Sequence, residues 1–593
     1  MKLLQSRFRS LPLTFSSSLA KRSILPLSRR TMATKITLPR TPLFEAISKQ
    51  PTEKTAIIHS ASGKRFTYGS LLGDIASTRS KILANAGTDD LKEQRIALLV
   101  ENGYEYVVSL LSIFASGGIA VPLCTAHPAA EMRYVLGDSA PSALISTPKF
   151  LSRSTEILDN DVSKLLQLPE LPPSDSKSQD ITIELQQNDW ASTKRGALIV
   201  YTSGTTNLPK GVVSTHSSLF AQANCLIDAW KMSPEDYLLH VLPLHHVHGI
   251  VNATLAPLMS GGTIEYLFPF TPASVWTRLC SGVTDIEGHK KEKISLFMAV
   301  PTIYNRLISS LPSQPKEIQD SAATAISCLR LAISGSAALP GSIRDNWRQL
   351  AGTEQGGGKM LERYGMTEIG MALSNTLEKR VNNAVGWPLP GVEARLADPE
   401  TGALITEADV SGEIQIRGPT VFREYWNKPE ATAKEFVDGW FRTGDVATKD
   451  GEGCYFIHGR TSVDIIKSGG EKVSALEVER ELLELPQVAE TAVIAVPDPD
   501  WGQRVAAVVV LTAKGQEEGW GLKEMREVMK TKLAGYKVPT VMRVVEKIER
   551  NQMGKINKKT LVKSIQSIKQ QPYPSQRKQK TSSHRSQKTQ NRT

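Results

Sequence analysis

From position 56 to about 538, short apolar runs alternate with longer stretches whose apolar residues recur every three or four positions. The runs at 96–100, 119–123, 143–146, 197–201, 239–242 and 296–299 are each four or five residues long and mostly aliphatic. Runs that short, with little polar alternation, read as strands covered on both faces. The periodic stretch at 104–116 between two of them reads as a helix. Repeated along the chain, this pattern predicts βα units on largely parallel sheets. From 392 to 418 the period changes to two, most clearly in G-E-I-Q-I-R at 412–417, which predicts a β-rich subdomain. Beyond Gly459 and Arg460, a helix at 475–485, strands at 490–496 and 504–511, and a helix at 522–533 predict a compact α+β unit. The expected fold is therefore α/β: a large N-terminal domain over 36–460, with parallel-rich sheets sandwiched by helices plus the β-rich subdomain, and a small α+β C-terminal domain over 461–565. The polar, Pro-rich segment 169–180 reads as a surface linker and E-Q-G-G-G-K at 354–359 as a loop.

Composition narrows this picture without changing it. A chain of 593 residues is long for one core. Its 40% hydrophobic and 22% charged content is that of a soluble globular protein. The longest apolar stretches, such as 106–115, are too short to span a bilayer. The five cysteines (Cys124, Cys225, Cys280, Cys328, Cys454) are scattered and lack C-x-x-C spacing, which argues against disulfides and a zinc site and fits a reducing compartment.

The net charge of +11 belongs to the ends. Residues 1–40 carry nine Lys/Arg and 563–593 carry eight, with no acid in either, so +11 less +17 leaves −6 for the middle. A nucleic-acid-binding core is not supported. The Arg- and Ser-rich, acid-free leader over 1–35 has the composition of a mitochondrial transit peptide, which places the protein in the mitochondrial matrix. Met32 offers the start of a shorter, untargeted cytosolic form. The Gln/Lys/Ser-rich tail over 566–593 is expected to be disordered, and its last residues are not the peroxisomal S-K-L.

Candidate chemistry begins at 201–211, Y-T-S-G-T-T-N-L-P-K-G. Four hydroxyls (Thr202, Ser203, Thr205, Thr206), Gly204, Gly211 and Lys210 follow a strand-like run. Glycines let backbone N–H groups converge on an anion, hydroxyls donate further hydrogen bonds and a lysine adds a point charge. A polyphosphate is the natural guest, although the string is not the P-loop G-x-x-x-x-G-K-[ST]. Further strings follow in order: I-S-G-S-A-A-L-P at 333–340, R-Y-G-M-T-E at 363–368, W-F-R-T-G-D at 440–445, Gly459-Arg460, I-I-K-S-G-G at 465–470 and R-N-Q-M-G-K at 550–555.

In this order and spacing, the strings resemble the adenylate-forming superfamily of acyl-CoA synthetases, luciferases and peptide-synthetase adenylation domains, over roughly residues 40–565. The resemblance implies ATP, Mg²⁺ and coenzyme A as reaction partners. It also implies roles residue by residue. Thr202, Ser203, Gly204, Thr205, Thr206 and Lys210 would hold the β/γ-phosphates, Glu368 the Mg²⁺, and Thr367 the α-phosphate. Tyr364 would face the adenine, with Gly335, Ser336 and Ala337 along the purine's other side. Asp445 and Arg460 would bind the ribose. Lys555 would bridge the carboxylate and the α-phosphate. The small C-terminal domain is mobile in this family; it would rotate after adenylation and bring Ser468, Gly469 and Gly470 to the pantetheine channel. The usual hinge residue is Asp or Lys, whereas this chain has Ser462, with Val463 and Asp464 beside it.

For the acid, P-L-H-H-V-H-G at 243–249 and V-P-T-I-Y-N-R-L at 300–307 carry the reading. Three histidines in four residues invite a metal, but the family role of this loop is to line the acyl pocket. There His246 would close the pocket, with His248 structural. Arg306 is the expected cation for the distal carboxylate of a dicarboxylic acid. Longer strings, including V-F-R-E-Y-W-N-K-P-E at 421–430 and G-R-T-S-V-D-I-I-K at 459–467, look closely like mitochondrial malonyl-CoA synthetases. The implied reaction is malonate, ATP and CoA giving malonyl-CoA, AMP and pyrophosphate, with methylmalonate as a further substrate, for mitochondrial fatty-acid synthesis or malonate clearance. Alternatives are a synthetase for another small acid (oxalate, or a short- or medium-chain fatty acid), a carrier-protein-loading enzyme, and a nucleic-acid-binding protein using the basic tails.

Overall fold

The computed structural model describes residues 34–168, 181–188, 194–202, 208–286, 288–352, 360–550 and 556–562. The expected linker at 169–180, the loop at 354–359 and the tail beyond 562 lie outside them. Among the described residues two large sheets form the N-terminal domain. The first has seven strands in the order Glu424–Tyr425, Lys210–Thr215, Gly196–Thr202, Ile119–Pro122, Arg95–Leu99, Ala143–Ser146, Leu165–Gln167. The last five of these run parallel, and the first two add antiparallel pairs. The second has nine strands and is parallel at its centre, where Leu331–Ser334, Leu296–Ala299, Tyr237–His240 and Thr263–Tyr266 lie side by side.

The helix Tyr104–Ala115 explains why the sheets pack as they do. Every residue in it except Glu105 is buried, the pattern of a helix enclosed on all sides. One contiguous core joins this helix, the helix Tyr68–Ala86 and the helix His216–Ala229 to side chains from both sheets. The helices start and stop on local signals. Thr67 caps Tyr68–Ala86 and Gly87 (φ 62°) ends it, and Thr215 and Ser218 form a reciprocal capping box on His216–Ala229. The outer flank of the second sheet has its own core around Trp276, Tyr304 and Trp347.

Six strands between Glu393 and Arg460 form the β-rich subdomain, which ends on Tyr455–Arg460. The C-terminal unit starts with Ile465–Ser468 in a five-stranded sheet and holds its own core of Ile466, Val478, Val493, Val509 and Met525. The strand Thr34–Pro39 pairs in parallel with Ile181–Gln186, so the last two residues of the stretch read as leader belong to a strand. No described helix is long and apolar enough to cross a membrane.

Candidate active site

In open α/β sheets, ligands gather beyond the carboxyl ends of parallel strands. Here Gly196–Thr202, Tyr237–His240 and Leu331–Ser334 all deliver motif residues just past those ends.

The hairpin Gly196–Thr202/Lys210–Thr215 pairs Thr202 with Lys210 and Tyr201 with Gly211. Ser203, Gly204, Thr205 and Thr206, at its tip, lie outside the described residues. Gly211 is dictated by packing: a Cβ there would sit 2.8 Å from Ile199 and 3.1 Å from the Tyr201 ring. Below the tip, Tyr201 donates to Asp138 (2.7 Å), which also holds Lys428 (3.0 Å). The Lys210 ammonium stands 3.8 Å from the Tyr425 ring centroid, and Tyr425 donates its hydroxyl to Glu368 Oε1 at 2.9 Å. Glu368 is 5% exposed at the turn between Met360–Met366 and Gly370–Ser374. Burial pushes its carboxyl above the usual range, against the pull of Tyr425, Arg460 and Lys210. A buried carboxylate beside the hairpin expected to hold phosphate suits Mg²⁺, which takes one or two carboxylates plus phosphate oxygens. Thr367 is half-buried next to it.

A second cluster holds the opposite side. Tyr364 donates to Asp445 Oδ2 (2.6 Å) and Arg460 Nε donates to Asp445 Oδ1 (3.0 Å). Asp445 and Arg460 face each other in register on adjacent strands. Each carboxylate oxygen retains a lone pair, so Asp445 can still accept from two sugar hydroxyls. Burial and the Asp445 charge drive the Tyr364 hydroxyl far above its ordinary range, so it stays a donor.

A third cluster is built differently. Arg363, on the strand Met360–Met366, is 4% exposed and has no ion-pair partner among the described residues. Among the described residues its Nε has no hydrogen-bond partner, and Nη2 reaches Ser336 Oγ at 3.4 Å. The guanidinium lies on the backbone of Gly335, where a Cβ would come within 2.4 Å of Nε. Ser336 is held at φ 71°, a strained value for a residue with a side chain. Burial alone lowers the Arg363 pKa to about 9. Both ring nitrogens of the buried His248 also lack partners, and burial followed by the Arg363 charge lowers its pKa well below 6.5. The loop carrying it is pinned: Asn102 donates to Leu242 O (3.1 Å), Tyr106 to Leu244 O (2.5 Å), and a Cβ on Gly249 would collide with Pro243 O at 2.2 Å. His246 is half-buried in the same loop, its ring 4.0 Å from that of His245.

Arg306, the cation expected for a distal carboxylate, lies on an exposed face. The helix Pro301–Ser310 buries Pro301, Tyr304 and Leu307, leaving Arg306 exposed over the Phe270 ring at 4.9 Å. Arg363 is the buried cation the sequence reading passed over, although a charge within the apolar strand M-L-E-R-Y-G-M was a usable signal.

Ser468, Gly469 and Gly470 lie on the C-terminal unit. Ser468 is buried, and the two glycines form a left-handed turn at φ 59° and 89°. A Cβ on Gly469 would meet the Trp501 ring at 2.6 Å, and Trp501 itself is 56% exposed. Around the expected hinge, Ser462 is exposed while Asp464 is clamped, accepting from Arg460 N (3.1 Å) and pairing with Lys558 (2.7 Å). Ala337 follows Ser336 in the same loop. Lys555 lies outside the described residues.

Comparison with known proteins agrees with this architecture. Residues 43–426 match the AMP-binding enzyme family, and 477–555 match the AMP-binding enzyme C-terminal domain. A CoA ligase of Gibberella moniliformis is 47% identical over 89% of this chain and 95% of its own. The human mitochondrial malonate–CoA ligase ACSF3 is 43% identical over 80% of this chain and 83% of its own, and the Arabidopsis thaliana malonate–CoA ligase 39% over 88% of each. The crystal structure of ATP-bound MatB from Rhodopseudomonas palustris superposes with a TM-score of 0.75 at 30% identity, covering 89% of this chain and 99% of that one. Matched by the two family models over residues 43–426 and 477–555, this protein belongs to the family of AMP-binding enzymes.

Proposed function

We propose that the protein is an ATP-dependent malonate–CoA ligase of the mitochondrial matrix. The observation that carries the choice of acid is Arg363, a guanidinium buried against Gly335 and Ser336 without a counter-ion among the described residues, with His248 nearby, its ring nitrogens likewise unmet among them. An uncompensated buried charge is strongly unfavourable, and a ligand carboxylate would satisfy it through charge-assisted hydrogen bonds. A monocarboxylic acid lacks that second carboxylate.

In the first step, one malonate carboxylate attacks the α-phosphate of ATP; the P–O bond to pyrophosphate breaks and malonyl-adenylate forms. Both reactants are anionic, so the barrier falls mainly by opposing charge and by fixed orientation. Thr202, Ser203, Gly204, Thr205, Thr206 and Lys210 hold the β/γ-phosphates, and Lys210 exchanges its Tyr425 ring contact for phosphate. Glu368 would hold Mg²⁺, which neutralises phosphate charge when bound. Thr367 donates to the α-phosphate, and Lys555 bridges it to the attacking carboxylate. Tyr364 and the Gly335–Ser336–Ala337 segment enclose the adenine, and Asp445 with Arg460 holds the ribose. Arg363 anchors the distal carboxylate and His246 closes the pocket. In the second step the C-terminal unit turns about Ser462–Asp464 and withdraws Lys555. Ser468, Gly469 and Gly470 then line the path by which the CoA thiolate attacks the acyl carbon, releasing AMP.

The acid-free leader and the mitochondrial location in the human relative's name support the matrix assignment. The reading is tested by CoA-dependent AMP release with malonate, methylmalonate, oxalate, succinate, acetate and butyrate. Malonate is expected to give the highest kcat/KM; equal use of butyrate overturns the choice of acid while leaving the ligase reaction standing.

A further inference from the structure

The fold brings together a thiol and two imidazoles that the sequence keeps 118 residues apart. Cys124 and His127 lie just past the strand Ile119–Pro122 of the first sheet, and His245 just past Tyr237–His240 of the second. The Cys124 sulfur and one nitrogen from each imidazole all lie within 4.8 Å of one another. We propose that Cys124, His127 and His245 form a transition-metal site, with zinc as the metal, that staples the 124–127 loop of one sheet to the 243–249 loop of the other.

The donor set is the first argument. One thiolate and two neutral imidazoles form a borderline-soft group that selects Zn²⁺ over Mg²⁺ or Ca²⁺. Three protein ligands leave a fourth position for water. Ligand atoms around bound Zn²⁺ stand about 3.3–3.8 Å apart, so binding would draw these three inward by about 1 Å.

The surroundings are the second. His127 Nδ1 is 3.2 Å from Glu131 Oε2, one turn on in the helix Ala129–Ser139. A carboxylate on one imidazole nitrogen fixes the ring and turns the other nitrogen to a metal, as in carboxylate–histidine–zinc arrangements. The Cys124 sulfur accepts from the backbone N–H groups of Ala126 and His127, which orients it within the loop. Arg153 donates to His127 O at 2.8 Å, holding the loop from behind. On the other side His245 is fixed by the pinned Leu242–Leu244 backbone. Cys124 is buried while both histidines are half-buried, so an ion can enter from solution.

None of these residues belongs to the proposed adenylation machinery, but His245 adjoins His246, so the ion would also stiffen the loop that closes the acid pocket.

The test is titration of the untagged full chain with Co²⁺, followed by the thiolate-to-cobalt charge-transfer absorption and by competition with Zn²⁺. The wild type should bind one ion per chain with that absorption. Cys124→Ser should lose the absorption, and Glu131→Gln, at an exposed position, should bind about 10–100-fold more weakly. Both variants should retain ATP-induced thermal stabilisation, which separates loss of the site from loss of the fold. Absence of stoichiometric binding, an unchanged absorption in Cys124→Ser, or unchanged affinity in Glu131→Gln overturns the proposal.

Discussion

The two ends of the candidate active site treat charge in opposite ways. At the nucleotide end the charged groups are already engaged: Asp445 with Tyr364 and Arg460, Glu368 with Tyr425, Lys210 with the Tyr425 ring. At the acid end Arg363 and His248 are buried with polar atoms unmet. A paired cluster is rigid before its ligand arrives and can lend spare lone pairs to it. An unpaired cation is costly until its ligand arrives, so it discriminates strongly against a ligand lacking the matching charge. On the proposed reading, the first cluster serves the reaction common to the family and the second makes the choice of substrate.

This contrast can be broken at several points. The largest loss is expected from Glu368→Gln, which removes the proposed Mg²⁺ ligand and the acceptor for Tyr425. Adenylation, measured as malonate-dependent ATP–pyrophosphate exchange, should fall about 10²–10³-fold. Asp445→Asn should cost about 2–3 kcal/mol of ATP binding, less than for a fully buried pair because Arg460 is about a third exposed. It should raise the KM for ATP and leave the preference among acids unchanged.

At the acid end the sign of the stability effect reverses. Arg363→Met should make the ligand-free protein more stable, by about 1–4 kcal/mol, because it removes an uncompensated buried charge. The same variant should lose the thermal stabilisation that malonate gives the wild type.

The smallest effect concerns pH. The folded-state pKa values of His240 (to about 4) and His248 are lowered, chiefly by burial. Such groups bind fewer protons folded than unfolded, so stability is complete above the unfolded value near 6.5 and falls as pH drops toward 4. Glu362, raised to about 7 by burial, and Asp74, Glu368 and Glu479, also raised chiefly by burial, oppose this over part of the range. Five lowered histidines (His216, His240, His245, His248 and His458) outnumber these four acids, so the melting temperature should fall from pH 6.5 to 4. Malonate, by placing negative charge near His248, should move that fall to lower pH.

Much of the fold was legible in the sequence. The strands expected at 96–100, 143–146 and 296–299 appear as Arg95–Leu99, Ala143–Ser146 and Leu296–Ala299, because continuous aliphatic runs have few alternatives to a covered parallel strand. The run expected at 239–242 appears as Tyr237–His240, since Val241 and Leu242 are buried in the pinned loop instead of in the sheet. Hydrophobicity marks burial but not which structure does the burying. The same limit explains the two arginines. Arg306 stands in a recognisable motif on an exposed helix face, while Arg363 sits two residues from the buried Leu361 on one face of a strand. Strand alternation points to the second, and the motif pointed to the first. Cys124, His127 and His245 were illegible as a group because their proximity depends on how the two sheets pack.

If Arg363 and not Arg306 reads the distal carboxylate, variants at the two positions must separate. The most direct test is kcat/KM for malonate against butyrate in Arg363→Met and Arg306→Leu, each checked for folding by ATP-induced thermal stabilisation. The account predicts that Arg363→Met loses about 10²–10³-fold on malonate, with little change on butyrate, as expected when one partner of a buried charge pair is removed, and that Arg306→Leu resembles the wild type. Unchanged malonate kinetics in Arg363→Met, or an equal loss in Arg306→Leu, would contradict it.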